Sequence, residues 1–312
     1  FRSFVEVNPE AVAKNISRNL ANKSKDDLLN FEEGRRNLVW TLEKLCFDKR
    51  TFTAGAKIMF ALAIAENESW SNNATGQFLK LFKIILSGTE ANLEERWKII
   101  EWGLSNPDVE YQELAIRAMS AGLSYGYFTR VRGPERQGTK KLMDHYPSGS
   151  ELEDYWSKIL NSLTSIIKSN SKISESATKV IANSIGTVFN AGYAEMILPK
   201  LSEVAEHLNY DWDEGLINLI RASKSKNNYL PEAMMKQINE LRDLLTKKDF
   251  KNRYLTFESV YYNDHSGEID TEKVRDGFIA LADEFVQIDP PWEQYLELFY
   301  RNRLNFTFFF GK

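Results

Sequence analysis

Apolar side chains recur every three or four positions along most of this chain, and that spacing predicts amphipathic helices. In the stretch "EGRRNLVWTLEKLCF" the spacing places Leu38, Leu42 and Leu45 on one helix face. The next stretch, "TFTAGAKIMFALAIAE", carries a second stripe made of Phe52, Ala56, Met59, Phe60 and Ala63. The periodicity continues in "ATGQFLKLFKIILSG", "TEANLEERWKIIEWGL" and "NPDVEYQELAIRAMSAGL", and it resumes after residue 150. The chain is therefore predicted to be a succession of helices joined by short polar connections.

Several of these helices are preceded by residues that cap helix N-termini. Asn8 and Asn106 each precede a proline, which then occupies the first helical position. In "ENESWSNNATGQF", Asn73 or Thr75 is placed to accept hydrogen bonds from the amides that open the next helix. Strands are scarce, and "YLTFESVYY" and "NFTFFF" are the good candidates.

The order of the predicted elements indicates the fold class. Consecutive helix pairs of about 35 to 45 residues without a strand layer are typical of an α-solenoid, in which each repeat packs against its neighbours. "NPDVEYQELAIRAMSAGL" also resembles the first helix of a HEAT repeat, because Leu114, Ala115, Ala118 and Ala121 would let paired helices approach closely. We therefore predict an all-α fold, an irregular HEAT-like α-solenoid of antiparallel helix pairs, with a compact all-α bundle as the alternative. The predicted domains are N-terminal helical repeats over residues 1–124, an inter-repeat loop insertion over 125–150 and C-terminal helical repeats over 151–312.

Composition narrows the range of partners and compartments. The net charge is −4 and the pI is about 5.7, which argues against a surface devoted to nucleic acid or to an anionic membrane. The single cysteine, Cys46, excludes an internal disulfide and suits the reducing cytoplasm, where we expect it to be a small core residue. No apolar run reaches the about 18 residues that a membrane span requires. The chain begins at Phe1 rather than at methionine, so we expect it to be a piece of a longer protein.

The stretch "RVRGPERQGTKK" imitates a phosphate-binding loop. Gly133 and Gly138 have the spacing of that motif, but Thr139 and Lys140 follow in the reverse order, which moves the hydroxyl off the metal and the ammonium off the phosphates. Pro134 also removes a loop amide that the phosphates would need. We therefore predict a solvent-exposed loop between repeats and no nucleotide or other cofactor.

The same loop is nevertheless a candidate interaction surface. It contains five basic residues against one acidic residue between residues 130 and 141, and aromatic residues come just before it. Arginine and aromatic side chains together favour an interaction patch, and long loops in solenoids commonly lie on the binding face. The alternative is a loop fixed by its own aromatic residues, with a basic edge that is merely solvated. The candidate interaction residues are Phe128, Arg130, Arg132, Glu135, Arg136, Gln137 and Lys140.

Other stretches that imitate chemical sites do not meet the requirements of those sites. "YYNDHSGEIDTEKV" follows a calcium loop in part, but Tyr262 and Lys273 stand where carboxylates are required. His145, His207 and His265 lie far apart, and none belongs to a motif with metal-ligand spacing. The sequence therefore predicts neither a metal site nor a catalytic residue.

Two stretches carry a family resemblance. "LEKLCFDKRTFTAGAKIMFALAIAENESWSNNATGQFLKLFKIILSGTEANLEERWKII" and "YGYFTRVRGPERQGTKK", followed by "YPSGSELEDYW", resemble the helical-repeat region of large bacterial multidomain STAND-type P-loop NTPase proteins. In those proteins an N-terminal effector and the NTPase precede the helical repeats, and several act in antiphage defence. The resemblance covers about residues 36–156, and the sequence after Trp156 does not match. It implies that nucleotide chemistry belongs to another part of the protein, and that Arg130, Glu135 and Gln137 matter for structure or binding.

These observations favour a non-catalytic helical scaffold or sensor, a fragment of a larger bacterial protein. Its expected partner is another protein or other domains of the same full-length chain, with no membrane and no cofactor. A nucleic-acid-binding HEAT-like protein is the alternative, although the pI disfavours it. A standalone hydrolase would need a converging acid, base or metal cluster, which no spacing in the sequence indicates.

Overall fold

The computed structural model describes residues 2–31, 34–125, 136–137, 140–224, 230–246, 249–261, 271–287 and 295. Within these ranges the chain forms fifteen α-helices and one ladder of two very short strands, which confirms the all-α prediction. Contacts divide the chain into two compact units, residues 1–187 and residues 188–312. This boundary falls within a helix and does not coincide with the loop over 125–150.

The elements of the first unit have the following bounds. They are α1 (Arg2–Val7), α2 (Pro9–Leu20), α3 (Lys25–Leu29), α4 (Arg35–Phe47), α5 (Phe52–Ile64), α6 (Ala74–Lys80), α7 (Leu93–Leu104), α8 (Val109–Gly122), β1 (Arg136–Gln137), β2 (Lys140–Lys141), α9 (Gly149–Lys168) and α10 (Ser174–Asn190), the last of which contains the boundary. The second unit contains α11 (Ala194–His207), α12 (Asp213–Ser223), α13 (Glu232–Leu245), α14 (Phe250–Tyr261) and α15 (Thr271–Val286).

An aromatic cluster holds the middle of the first unit together. The ring of Phe60 on α5 lies 4.7 Å from that of Phe78 on α6, 5.3 Å from that of Trp102 on α7 and 5.2 Å from that of Tyr111 on α8, measured between centroids. Four helices therefore meet at one fully buried ring. Gly103 permits α7 to lie this close to Phe60 on α5, because a Cβ atom at residue 103 would be 2.8 Å from two ring carbons of Phe60.

The helix N-termini follow the capping rules in most places. The side chain of Asn8 accepts a hydrogen bond from the amide of Ala11 at 3.0 Å, and that of Asn73 accepts one from Gly76 at 2.8 Å. The prediction for Asn106 is wrong by two residues, since Asp108 is the N-cap of α8 and its carboxylate accepts from Glu110 at 2.9 Å. A carboxylate at this position also complements the positive end of the helix dipole.

The stretch "ATGQFLKLFKIILSG" is not one long helix, contrary to the sequence prediction. α6 ends at Lys80, and the following residues form turns in which Leu86 and Gly88 have positive φ angles of 53° and 76°. The guanidinium group of Arg96 on α7 donates to the carbonyl oxygens of Lys83 and Ala91, each at 2.9 Å. These bonds satisfy carbonyl groups that a continued helix would have paired internally.

The stretch "YLTFESVYY" was predicted as a strand, but residues 254–261 of it belong to α14, and Tyr262 lies outside the described residues. Phe250, Tyr254, Leu255, Phe278 and Leu281 form one buried cluster between α14 and α15. The helix buries its aromatic residues at the three- and four-residue spacing that packing against α15 requires, and this burial outweighs the local strand preference of Tyr and Phe. The other strand candidate, "NFTFFF", lies outside the described residues.

Candidate interaction site

The residues predicted to form an interaction surface are only partly within the described ranges. Phe128, Arg130, Arg132 and Glu135 lie outside them. Arg136 and Gln137 form β1, whose backbone pairs antiparallel with β2, so that Arg136 lies opposite Lys141 and Gln137 lies opposite Lys140. The sequence did not indicate this ladder.

Residues 140–148, which we call the stem, comprise β2 and the stretch without helix or strand that leads to the start of α9. Leu142 is buried, whereas Lys141, Met143 and Tyr146 are exposed, with Met143 at 65% and Tyr146 at 62%. The two sides of the stem therefore differ. One side is fixed to the helices, and the other presents a cation, a thioether and an aromatic ring to solvent.

Two contacts fix the middle of the stem to the turns that precede α7. The carboxylate of Asp144 accepts a hydrogen bond from the amide of Gly88 at 2.5 Å, and the amide of His145 donates to the carbonyl oxygen of Thr89 at 2.9 Å. Gly88 has a φ angle of 76°, which glycine adopts without the steric cost that other residues incur. The glycine thus turns its amide toward Asp144, and the stem follows the path of residues 88–89.

A charged cluster fixes the beginning of the stem. The ammonium group of Lys140 lies 3.0 Å from the carboxylate of Glu90 and 3.8 Å from that of Asp48. Asp48 is fully buried and also binds Arg50, which in turn contacts Glu10 on α2 at 2.6 Å. Burial alone would raise the pKa of Asp48, but the hydrogen bonds from Arg50 and the charge of Lys140 lower it below its ordinary value. Lys140 is therefore engaged with the helical core, and its role is anchoring.

A histidine–glutamate pair fixes the end of the stem to α9 and α7. His145 Nε2 lies 2.8 Å and 2.9 Å from the two carboxylate oxygens of Glu151, and the amide of Leu93 donates to the same carboxylate at 2.8 Å. Because an ionised carboxylate only accepts, Nε2 carries the hydrogen. Burial raises the pKa of Glu151, but the donors Leu93 and His145 outweigh this effect and lower the pKa below its ordinary value. The first turn of α7, the first turn of α9 and the stem thus share one carboxylate.

Arg96 and Tyr155 lie beneath this part of the surface and are both buried. Desolvation lowers the pKa of Arg96 to about 10, and Tyr155, Glu151, Asp144 and Glu95 oppose that shift through their charges. Burial raises the pKa of Tyr155 above its ordinary value. Arg96 Nη2 and the Tyr155 hydroxyl have no hydrogen-bond partner among the described residues. Arg96 stays charged at neutral pH and holds the turns before α7, so its role is structural.

Tyr125, the residue that precedes the segment 126–139, is held against α9. The ring of Tyr125 packs edge-on against that of Trp156, with centroids 6.0 Å apart, and the indole of Trp156 donates to the carbonyl oxygen of Gly122 at 2.9 Å. Tyr125 remains 44% exposed. Both ends of the segment therefore leave from fixed positions on the first unit.

The described residues carry their metal-ligating side chains apart and their cysteine buried. They contain no group of three or more His, Cys, Asp or Glu side chains placed to hold a metal ion. Cys46 is buried, as the sequence predicted, and desolvation raises the pKa of its thiol. The stretch that imitates a calcium loop, residues 262–273, lies outside the described residues except at the start of α15. None of the helices in the described ranges combines the length and apolar character needed to cross a bilayer.

Comparison with known proteins identified no relative of this chain. No family model, no curated protein and no solved structure matches the chain.

Proposed function

We propose that this chain is a non-catalytic helical scaffold that recognises a protein partner or another domain of the same full-length protein. Recognition takes place on the exposed side of the stem and on the basic residues that precede the stem in the sequence. The anchoring of residues 140–148 is the observation that carries this proposal. It leaves Lys141, Met143 and Tyr146 in solvent while the residues between them are held by the helices.

Anchoring matters because it lowers the entropic cost of binding. Side chains on a mobile loop lose freedom when they meet a partner, whereas side chains on a fixed backbone lose less. Exposed tyrosine, methionine and arginine are also the residue types that protein interfaces favour. Tyr146 and Met143 lie on the fixed stem, and Arg130, Arg132 and Arg136 precede it in the sequence. The combination suits a partner with an acidic surface and an apolar patch.

We also propose the finer architecture and context that the sequence suggests. Sequential helices of the first unit pack against each other, as α4 does on α5 and α7 on α8, which supports an irregular HEAT-like solenoid. The resemblance to helical-repeat regions of STAND-type NTPases supports a sensing role in a larger bacterial protein, located in the cytoplasm. Sequencing the full-length gene tests this context directly. An upstream NTPase module would support it, and its absence would contradict it.

Site-specific photo-crosslinking tests the recognition surface. A photoreactive amino acid replaces Tyr146 in the full-length protein, and a matched variant carries it at Glu153, which is exposed on α9. After irradiation in the cells that produce the protein, we expect the Tyr146 position to give a discrete adduct with one protein or with another domain of the chain. The Glu153 position should not give that adduct.

Binding of the identified partner is then measured with purified components. Replacing Arg132 and Arg136 with alanine should weaken binding at least about tenfold with little change in melting temperature, because the sequence predicts a solvent-exposed loop here and arginine is a residue type that dominates interface energies. The same adducts from both positions, or a partner whose affinity is unchanged by the substitutions, would contradict the proposal. An RNA or DNA adduct in place of a protein would favour the nucleic-acid alternative.

A further inference from the structure

The second unit contains a groove between α11 and α13 that the proposed function does not use. The groove has a volume of about 340 Å³. Its lining includes the buried side chains of Leu198 and Leu241 and the side chain of Leu244, which is 56% exposed. An aliphatic surface therefore faces water where an aliphatic partner could replace it.

The polar lining of the groove is acidic. Glu206 on α11 and Glu240 on α13 line it, and none of the lining residues in the described part of the chain is a lysine, arginine or histidine. Glu240 has one cation nearby, Lys236 on its own helix at 3.9 Å, and both side chains are mostly exposed. Such a pair is weak and screened by water. The groove thus combines apolar walls with two carboxylates that are open to a new partner.

Its dimensions suit two turns of a helix. The lining positions on α11 extend from 198 to 206 and those on α13 from 237 to 244, which corresponds to roughly 10 to 12 Å along each axis at 1.5 Å per residue. A helix of that length presents aliphatic side chains at positions i and i+4 to the groove, with flanking positions near each rim. A lysine or arginine at a flanking position would meet a carboxylate.

We propose that this groove binds a basic amphipathic helix of a partner protein. Leucine-like side chains of the helix contact Leu241 and Leu244, and its lysine or arginine side chains pair with Glu206 and Glu240. A second copy of this chain fits poorly, because a two-fold interface on the groove would place one acidic lining against another. This site lies in the second unit and does not depend on the stem, so the two proposals are tested separately.

A fluorescent model peptide tests the proposal with the intact chain. The peptide is about 14 residues long, with leucine every three or four positions and lysine on both flanks of the leucine stripe. A second peptide has glutamate in place of lysine. Fluorescence anisotropy measures binding to the wild-type chain and to the Glu206→Gln/Glu240→Gln double variant. Glu153→Gln is the matched control, because it removes an exposed carboxylate from the first unit.

We expect the wild-type chain and Glu153→Gln to bind the lysine peptide equally, and the double variant to bind about tenfold more weakly at low salt, since two partly exposed ion pairs are lost. High salt should remove this difference. Leu244→Asp should abolish binding, and its circular dichroism should match that of the wild-type chain because Leu244 is largely exposed. The glutamate peptide should not bind.

Other results would overturn the proposal. Failure of the wild-type chain to bind the lysine peptide, or equal binding by the double variant and Glu153→Gln, would show that the groove does not select a basic helix. Tight binding of the glutamate peptide would show the same. Sedimentation would reveal the competing occupant: a dimer that Leu244→Asp abolishes would mean that a second copy fills the groove. If Leu244→Asp fails to fold, the double variant still decides the outcome.

Discussion

Replacing Glu151 with glutamine should destabilise the first unit, because one carboxylate serves two donors there. Its oxygens accept from His145 Nε2 at 2.8 Å and 2.9 Å and from the amide of Leu93 at 2.8 Å. Glutamine keeps the shape but has one accepting oxygen, and its amide nitrogen would face a donor. Oε1 accepts from both donors, so a glutamine oxygen in its place would make neutral hydrogen bonds where the carboxylate makes charge-assisted ones, and the glutamine NH2 would lie against His145 Nε2.

The size of the effect follows from the burial of the pair. A hydrogen bond to a charged group contributes about 1.5 to 3 kcal/mol when it is well shielded from water. The side chain of Glu151 is 28% exposed, so water partly replaces the lost partner. We therefore expect a loss of about 1 to 2 kcal/mol in the free energy of unfolding at neutral pH. Urea denaturation followed by tryptophan fluorescence measures this loss, with Glu153→Gln as the exposed control on the same helix.

The pH dependence of the difference identifies the carboxylate as its cause. The pKa of Glu151 is lowered in the folded chain from its ordinary value of 4.5. The ionised carboxylate therefore stabilises the fold above that ordinary value, and this contribution is lost as the pH falls through the lowered folded value. The wild-type chain and Glu151→Gln should differ fully at pH 7, and the difference should shrink as the pH falls below 4.5. Equal urea midpoints at pH 7, or a difference that persists undiminished at about pH 3, would refute the reasoning.

Four further predictions concern the core and the basic segment. Arg96→Met should cost about 2 to 4 kcal/mol by leaving two carbonyl oxygens without donors, and Arg96→Lys should recover part of the loss in urea denaturation. Gly103→Ala should cost about 1 to 3 kcal/mol, because the new Cβ would lie 2.8 Å from ring carbons of the buried Phe60; an unchanged melting temperature would contradict this packing. Cys46 should resist a thiol reagent at pH 8 in the native chain and react only after unfolding, since it is buried with a raised thiol pKa. Calorimetry should detect no binding of magnesium ATP, and saturable binding that Lys140→Ala abolishes would revive the phosphate-loop interpretation.

Helices and their caps could be predicted from the sequence because both depend on near neighbours. The stripe in "EGRRNLVWTLEKLCF" and the cap at Asn73 involve residues three or four positions apart, and the structure has α4 and α6 there. The secondary-structure prediction failed where contacts between residues far apart in the sequence determine the structure. "YLTFESVYY" has the composition of a strand, but burial against α15 makes it a helix, and no local pattern reports that burial.

The stem was missed because its contacts join residues far apart in the chain. The bond between Asp144 and Gly88 and the ion pair between Lys140 and Glu90 follow no spacing rule. The burial of Arg96 could have been predicted from the sequence. Arg96 occupies a position in the apolar stripe with Leu93 and Ile100, where a surface arginine would not be expected. An arginine in such a stripe indicates a buried guanidinium group that binds backbone carbonyl groups.

Hydrogen exchange of the stem tests the central claim most directly. The claim is that residues 140–148 are held by the helices and so present their exposed side chains from a fixed backbone. We expect amides in this range, above all that of His145, which donates to Thr89, to exchange at least about a hundredfold more slowly than in an unstructured peptide. Exchange at the unstructured rate throughout residues 140–148 would contradict the claim, and the proposed recognition surface would lose its basis.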